Sequence, residues 1–354
     1  MGALLAAIGV TMIYRLDPDN AFRQGLWVVI GVALFAAVLV ALRRDYRVLE
    51  SYKYLFGLGA VLLLVLPALP VIGHEVRGAR IWVQIGPLNF QPGEFAKLLL
   101  IVFLAGYLRE KREVLAQARL KDLGPLLLIW GGAMAVLAHS GDLGQALLYF
   151  GVFLGMLYVA TGRALFVGVG LALFVAGAYA MYQVVPRVGV RVGAWLDPWG
   201  DQEGAGYQVI QSLFSIANGG FVGTGFGRGT FTNVGGGTLI PDVHTDFIYS
   251  ALAQELGLVG SSALLLVFML FVMRGFRTAL LAGDGFSKLL AAGLTFGFAL
   301  QTFIIVGGIL RLIPLTGITL PFVSYGGSSV VANFVLLAGL LLVSNRANAL
   351  RGTR

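Results

Sequence analysis

Apolar composition, sparse charge and a one-sided spread of basic residues predict an all-α polytopic membrane protein. About ten transmembrane helices, both termini in the cytoplasm and one large extracellular loop are expected. Of the 354 residues, 58% are hydrophobic and 12% charged, against roughly 45–50% and ~25% in a soluble domain, which excludes a water-soluble globule. At about 20 apolar residues per spanning helix, the roughly 205 apolar residues furnish about ten helices with short connections. The 50 glycines are about double the usual share and suit close helix packing and irregular backbone within a membrane. Cysteine is absent, which rules out disulfides, a thiolate nucleophile and cysteine-ligated metal centres. His74, His139 and His244 are too scattered for a zinc site.

Apolar runs broken by charge or turn residues place the spans at 2–14, 25–42, 54–72, 92–108, 123–139, 142–161, 164–185, 246–273, 286–308 and 324–344. The first is too short to cross a hydrocarbon core of about 30 Å, so the chain is expected to start inside its first helix; no signal-peptide pattern precedes it. Arg43-Arg44 closes the second run, Lys53 precedes the third, and Pro92 and Arg109 bracket the fourth. The fifth and sixth are divided by His139-Ser140-Gly141, the sixth and seventh by Gly162-Arg163; Pro186, Arg274, Arg311 and Arg346 lie just beyond the last four. The whole of 1–354 reads as one integral membrane domain, with residues 186–245 as the large extracellular loop.

Lys and Arg set the orientation, because cytoplasmic loops carry the excess. Sixteen of the 25 fall on one side: Arg43, Arg44, Arg47, Lys53, Arg109, Lys111, Arg112, Arg119, Lys121, Arg163, Arg274, Arg277, Lys288, Arg346, Arg351 and Arg354. Eight fall on the other, Arg15, Arg23, Arg77, Arg80, Arg187, Arg191, Arg228 and Arg311, and Lys97 sits inside a span. The net charge of +8 is then a topology signal with attraction to anionic membrane lipids, not a nucleic-acid footprint. The loop at 186–245 is far longer than an ordinary connection. Its seven aromatic residues argue against disorder; Tyr207 to Ala217 suits an amphipathic interfacial helix, and Gly219 to Gly237 reads as tight turns.

Ionisable groups in or at spans are costly, about 2.5–3.5 kcal/mol at a helix centre, and so mark candidate sites. Gln91-Pro92-Gly93-Glu94-Phe95-Ala96-Lys97 puts Glu94 and Lys97 on one helix face, Lys97 about 4.5 Å deeper. The pair either neutralises itself or lines a polar cavity. Asp142, in a short outer turn, either caps the sixth helix or serves the site. Asp246, in Pro241-Asp242-Val243-His244-Thr245-Asp246-Phe247, is placed in the first turn of the eighth span beside His244 and Thr245. One role open to it is capping. The other, a functional one, is a general base, since a partly desolvated carboxylate is suited to take a proton. Glu255, nine residues on, falls on the opposite helix face and is expected in a buried structural contact. Arg187, Arg191 and Arg228 are either solvated or, through their donor forks, phosphate ligands. Two Pro and three Gly in Leu312 to Ser329 mean a broken or re-entrant segment, tolerated at depth only inside protein or lining a cavity.

Five stretches resemble the SEDS family (shape, elongation, division and sporulation), in family order. They are Phe90-Gln91-Pro92-Gly93-Glu94-Phe95-Ala96-Lys97; Asp142-Leu143-Gly144; Leu196-Asp197-Pro198-Trp199 with Gly204-Ala205-Gly206-Tyr207-Gln208; His244-Thr245-Asp246-Phe247-Ile248; and Leu320-Pro321-Phe322-Val323-Ser324-Tyr325-Gly326-Gly327-Ser328. The resemblance implies a ten-helix glycosyltransferase that polymerises lipid II, adding to undecaprenyl-pyrophosphate-linked glycan at the outer face of the cytoplasmic (inner) membrane. It also implies a class B penicillin-binding protein as cross-linking partner. Asp246 matches the family's essential Asp; Glu94, Lys97, Asp142 and Arg191 match its polar positions, and His244, Thr245 and Ser324 lie in its motifs. The chain departs from the pattern at Gly93, where Ser is usual, at Ser140-Gly141, at Gln145, where Thr is usual, and at Gln254, where Glu is usual. Pro314-Leu315-Thr316-Gly317 and short cytoplasmic tails favour the type that serves cell elongation and its machinery over the division type.

The combined expectation is an inverting transfer: Asp246 takes the proton of the acceptor hydroxyl, and Arg191 or a divalent cation, Mg²⁺ or Mn²⁺, stabilises the departing pyrophosphate. Asp246 or Asp142 would offer such a cation a ligand. A lipid II flippase is the competing class, but it calls for midplane polar groups and repeated halves. A polymerase or ligase for another polyprenyl-linked sugar is a third.

Overall fold

The computed structural model describes residues 1–69, 72–76, 79–85, 88–113, 124–231 and 239–352. Arg77, Arg119, Lys121 and Arg354, counted above for orientation, and residues 232–238 of the glycine-rich stretch lie outside the described residues.

A helix stands at each of the ten predicted runs. In order they are α1 (Gly2–Leu16), α2 (Pro18–Leu42), the single turn α3 (Val48–Ser51), α4 (Lys53–Val65), α5 (Pro92–Glu110), α6 (Gly124–His139), α7 (Leu143–Thr161) and α8 (Ala164–Val184). The large loop then contributes α9 (Pro186–Leu196) and α10 (Tyr207–Gly219), and the chain ends with α11 (Ile248–Leu281), α12 (Gly285–Ile309) and α13 (Gly327–Gly352). Among the described residues, α2, α7, α8, α11, α12 and α13 are long and apolar enough to cross a membrane. Their exposure differs: the apolar windows of α2 and α8 are 6% buried, those of α12 and α13 72% and 61%. Exposed apolar windows of this kind suit contact with lipid, whereas those of α12 and α13 are mostly buried.

The helix ends follow local chemistry. Asp17 separates α1 from α2; its Oδ1 accepts the Asp19 and Asn20 amides, each at 3.0 Å, and Pro18 takes the first helical position. Asp142 caps α7 by accepting the Gln145 amide at 3.0 Å, and Gly162, at φ 70°, ends it. Asp284 caps α12 through the Ser287 amide and hydroxyl, at 2.9 and 2.7 Å.

Four features differ from expectation. The third run stops being α-helical at Val65, because Pro67 sits in the following 3₁₀ turn, Leu66–Ala68. The 73–91 connection folds into a small antiparallel sheet in the order β1 (Gly73–Val76), β2 (Ala79–Ile85), β3 (Leu88–Phe90), in which Gly73 pairs with Val83 and Gln84 with Asn89. The large loop carries α9 as well as the expected α10. Finally, α11 starts at Ile248, after Asp246, and is broken at Gly257 (φ 66°, ψ −170°).

The chain forms two compact units, built from discontinuous segments. Residues 1–26, 169–271 and 301–326 make the first; residues 27–168, 272–300 and 327–354 make the second. The second is organised round α5, whose Ile101, Phe103, Leu104, Tyr107 and Leu108 are fully buried and which packs most heavily on α4. The first contains the break in α11, α9, α10 and the 310–326 segment.

Candidate active site

In the first unit a cavity of about 230 Å³ is lined by Arg191, Trp195, Gln208, Asp246, Arg311 and Gly317, among others. Arg191 comes from α9, Asp246 from the turn before α11, and Gly317 from the irregular segment after α12. A Cβ placed on Gly317 would lie 3.6 Å from Arg191 Nη2 and 3.6 Å from Asp246 Oδ2. The two charged groups are thus no more than twice that distance apart, and Gly317 (φ 75°) puts no side chain beside them. Arg191 Nη1 also donates to the Thr316 carbonyl at 3.1 Å.

Asp246 is held by a lattice that begins far away in sequence. The turn before it is closed by the Thr245 amide and hydroxyl, each 3.0 Å from the Asp242 carbonyl, with Asp242 itself at φ 57°. Ser324 Oγ donates to the Thr245 carbonyl at 2.6 Å and accepts the Leu320 amide at 2.9 Å. The Tyr325 amide donates to the His244 carbonyl at 2.8 Å, and the two rings meet edge to face at 5.5 Å. Fully buried Gln24 of α2 donates to the Ser324 carbonyl and accepts the Gly326 amide, both at 3.1 Å. His244, Thr245 and Ser324 therefore support the cavity wall from behind, while Asp246 faces the cavity. Arg187 and Arg228 are exposed and are not among the residues lining it.

Glu255 makes the buried contact expected of it. Its carboxylate accepts the Gly227 and Gly229 amides at 3.0 and 3.1 Å and pairs with Arg15 Nε at 3.4 Å.

The second unit holds the other predicted polar residues. Lys97 Nζ donates to Glu94 Oε2 at 2.9 Å, with both side chains 4% exposed. So complete a burial makes the pair's desolvation cost large and its geometry obligatory. Tyr149 donates its hydroxyl to the Gly93 carbonyl beside them. Asp142 is confirmed as a cap. It also borders a cavity with room for about one water, shared with Arg80, Gln91, Gly93, Ser140 and Gln145. As site residues, Gln24, Trp195, Gln208 and Arg311 were missed by reasoning from sequence; the hydrogen-bond partners of Gln24, Trp195 and Arg311 are distant in the chain, and Gln208 shows only as part of the cavity lining.

The family model described as a cell cycle protein, that of FtsW, RodA and SpoVE, matches residues 1–349. The chain belongs to the FtsW/RodA/SpoVE family. This is the family that its motifs resemble. The protein named peptidoglycan glycosyltransferase RodA in Mycobacterium tuberculosis is 44% identical over 373 residues, covering 99% of this chain and 78% of the relative. One named probable peptidoglycan glycosyltransferase FtsW in Geobacter metallireducens is 34% identical, covering 98% and 93%. Among solved structures, a chain described under "Structural coordination of polymerization and crosslinking by a peptidoglycan synthase complex" superposes with a TM-score of 0.80 at 32% identity, covering 98% of this chain and 96% of that one. The Thermus thermophilus rod shape determining protein RodA gives 0.70 at 29%, covering 97% and 94%. Membership of this family and the six apolar helices make the chain a multi-pass membrane protein.

Proposed function

We propose that this chain, a peptidoglycan glycosyltransferase of the FtsW/RodA/SpoVE family, polymerises lipid II at the outer face of the cytoplasmic membrane for cell elongation. The observation that carries the mechanism is that Asp246 and Arg191 line one cavity, each with a charged atom 3.6 Å from a Cβ placed on Gly317. The acceptor lipid II presents its sugar 4-hydroxyl to Asp246, which takes the proton as the oxygen bonds to the anomeric carbon of the growing glycan. The bond from that carbon to the lipid pyrophosphate breaks, and the pyrophosphate leaves with the electron pair. One displacement inverts α to β and needs a base but no protein nucleophile. Arg191 meets the charge that develops on the leaving group. The 44% identity to a RodA, against 34% to an FtsW, supports the elongation role.

Among the described residues no group of three or more His, Asp or Glu could hold a metal ion. Asp246 shares its cavity with two guanidinium groups, a setting that disfavours a protein-held dication. Mg²⁺ or Mn²⁺ would instead enter with the pyrophosphate, keep most of its water, and add positive charge there. A class B penicillin-binding protein is the proposed partner; a solved relative comes from a complex that couples polymerisation to cross-linking.

The test is polymerisation of labelled lipid II by the purified full chain. We expect Asp246→Asn to slow it by about 10²–10⁴-fold with unchanged thermal unfolding. Equal glycan ladders from Asp246→Asn and the native chain would remove Asp246 from the chemistry.

A further inference from the structure

Arg311 stands two residues past the end of α12 at Ile309, and its backbone is unusual. The Leu312 amide bonds to the Gly307 carbonyl at 2.7 Å and the Arg311 amide to the Gly308 carbonyl at 3.2 Å. These are the two bonds of a Schellman ending, and Arg311 occupies its left-handed position at φ 58°. Glycine is the residue that suits that position; any side chain there is strained.

The side chain explains why an arginine is there. Its Nε and Nη2 donate to the Trp195 carbonyl at 3.2 and 2.8 Å, and Nη2 also donates to the Leu196 carbonyl at 3.1 Å. Trp195 Nε1 returns a bond to the Arg311 carbonyl at 2.9 Å. Trp195 and Leu196 are the last residues of α9, so the guanidinium closes the end of that helix, where unpaired carbonyls and the helix dipole both favour a cation. The helix needs this closure. It has 11 residues, none of them buried, and a helix so short is marginal without tertiary support. It also carries Arg191, one turn back from Trp195, whose guanidinium is tied to the same irregular segment at Thr316.

We propose that Arg311 is a positioning residue for Arg191. By clasping the end of α9, it sets the register and orientation of that helix, and so holds the Arg191 guanidinium at the pyrophosphate side of the cavity. This inference rests on the role given to Arg191 above.

The test uses Arg311→Gly, which removes the clasp while relaxing the backbone, so misfolding does not account for a loss. In full-length protein, the unfolding midpoint of Arg311→Gly should stay the same or rise. Its kcat/KM for labelled lipid II should fall by about tenfold, the scale of a lost charge-assisted helix closure. Amide hydrogen exchange in residues 188–197 should speed up, and Arg311→Lys should recover part of both effects. Because Arg311 acts through Arg191, the double variant with Arg191→Gln should be no slower than Arg191→Gln alone, within about twofold. Native activity and exchange in Arg311→Gly would overturn the inference. Losses that multiply in the double variant would do so too, by showing that Arg311 acts on its own. Full activity of Arg191→Gln would instead overturn the reading of Arg191 and this inference with it, and is told apart because it appears in that single variant.

Discussion

Gly93 and Gln145 show how one residue's identity dictates another's. A Cβ on Gly93 would lie 1.9 Å from Gln145 Oε1, and Gln145 is 3% exposed, so its amide cannot swing into open solvent. These are two of the positions at which the chain differs from the motifs it resembles, with Gly where that resemblance expects Ser and Gln where it expects Thr. The contact couples the two positions: the Gln145 amide fills the volume that a side chain at residue 93 would need. Gly93→Ser should therefore destabilise by about 1–3 kcal/mol, and Gly93→Ser with Gln145→Thr should recover most of that, read as a thermal-unfolding double-mutant cycle. Additive losses would mean that the two sites are independent. At this scale, what was legible in the sequence was local. The Asp142 cap and the Glu94–Lys97 pair span three residues each, and helix geometry put each among the two readings left open for it. Gln24 and Arg311 were not legible, because Gln24 meets Ser324 and Arg311 meets Trp195 only after the chain has folded across 300 and 116 positions.

The break in α11 is a matter of elements rather than residues. At Gly257 the helix loses its own hydrogen-bond ladder, and the turns after α10 replace it. The Leu258 and Val259 amides donate to the Gly220 and Phe221 carbonyls at 3.0 and 3.1 Å; the Thr224 and Gly225 amides donate to the Gln254 and Glu255 carbonyls at 3.0 and 3.1 Å. In a membrane helix, freed groups of this kind must be satisfied by protein. The approach is close enough that a Cβ on Gly257 would sit 2.2 Å from the Gly223 nitrogen. Gly257→Ala should thus cost about 2–4 kcal/mol from backbone strain and overpacking together, seen as a lower unfolding temperature in detergent. Gly177→Ala in α8, where a Cβ meets nothing within 4 Å, should be neutral or slightly stabilising; equal losses in both would sink the argument. The ten apolar runs were legible because each is a contiguous property of the chain. This break was not, because it depends on a loop some thirty residues earlier, and the three short strands were hidden in a connection only 19 residues long.

At the scale of the whole molecule, charge is the organising quantity. The basic loops assigned to the cytoplasm are also where ion pairs gather: Arg346 meets Asp45 at 2.9 Å, Lys53 meets Glu110 at 2.7 Å, and Arg109 meets Glu50. Hydrogen bonds from Arg47 hold the Asp45 carboxyl at about 2, well below its ordinary range. Exposed pairs of this kind add little stability each; what they contribute is a fixed arrangement of the loops whose Lys and Arg excess sets orientation. That orientation decides whether the Asp246 cavity opens toward an extracellular substrate, and the absence of cysteine from the chain gives a clean way to read it. Glu203, beyond α9, and Glu113, beyond α5, are both exposed acids, so replacing either removes no positive charge from the count. In intact cells a membrane-impermeant maleimide should label Glu203→Cys, and should label Glu113→Cys only after the membrane is opened. The reverse pattern would turn the basic loops outward, place the cavity on the cytoplasmic side, and leave the proposed polymerisation with its substrate on the wrong face of the membrane.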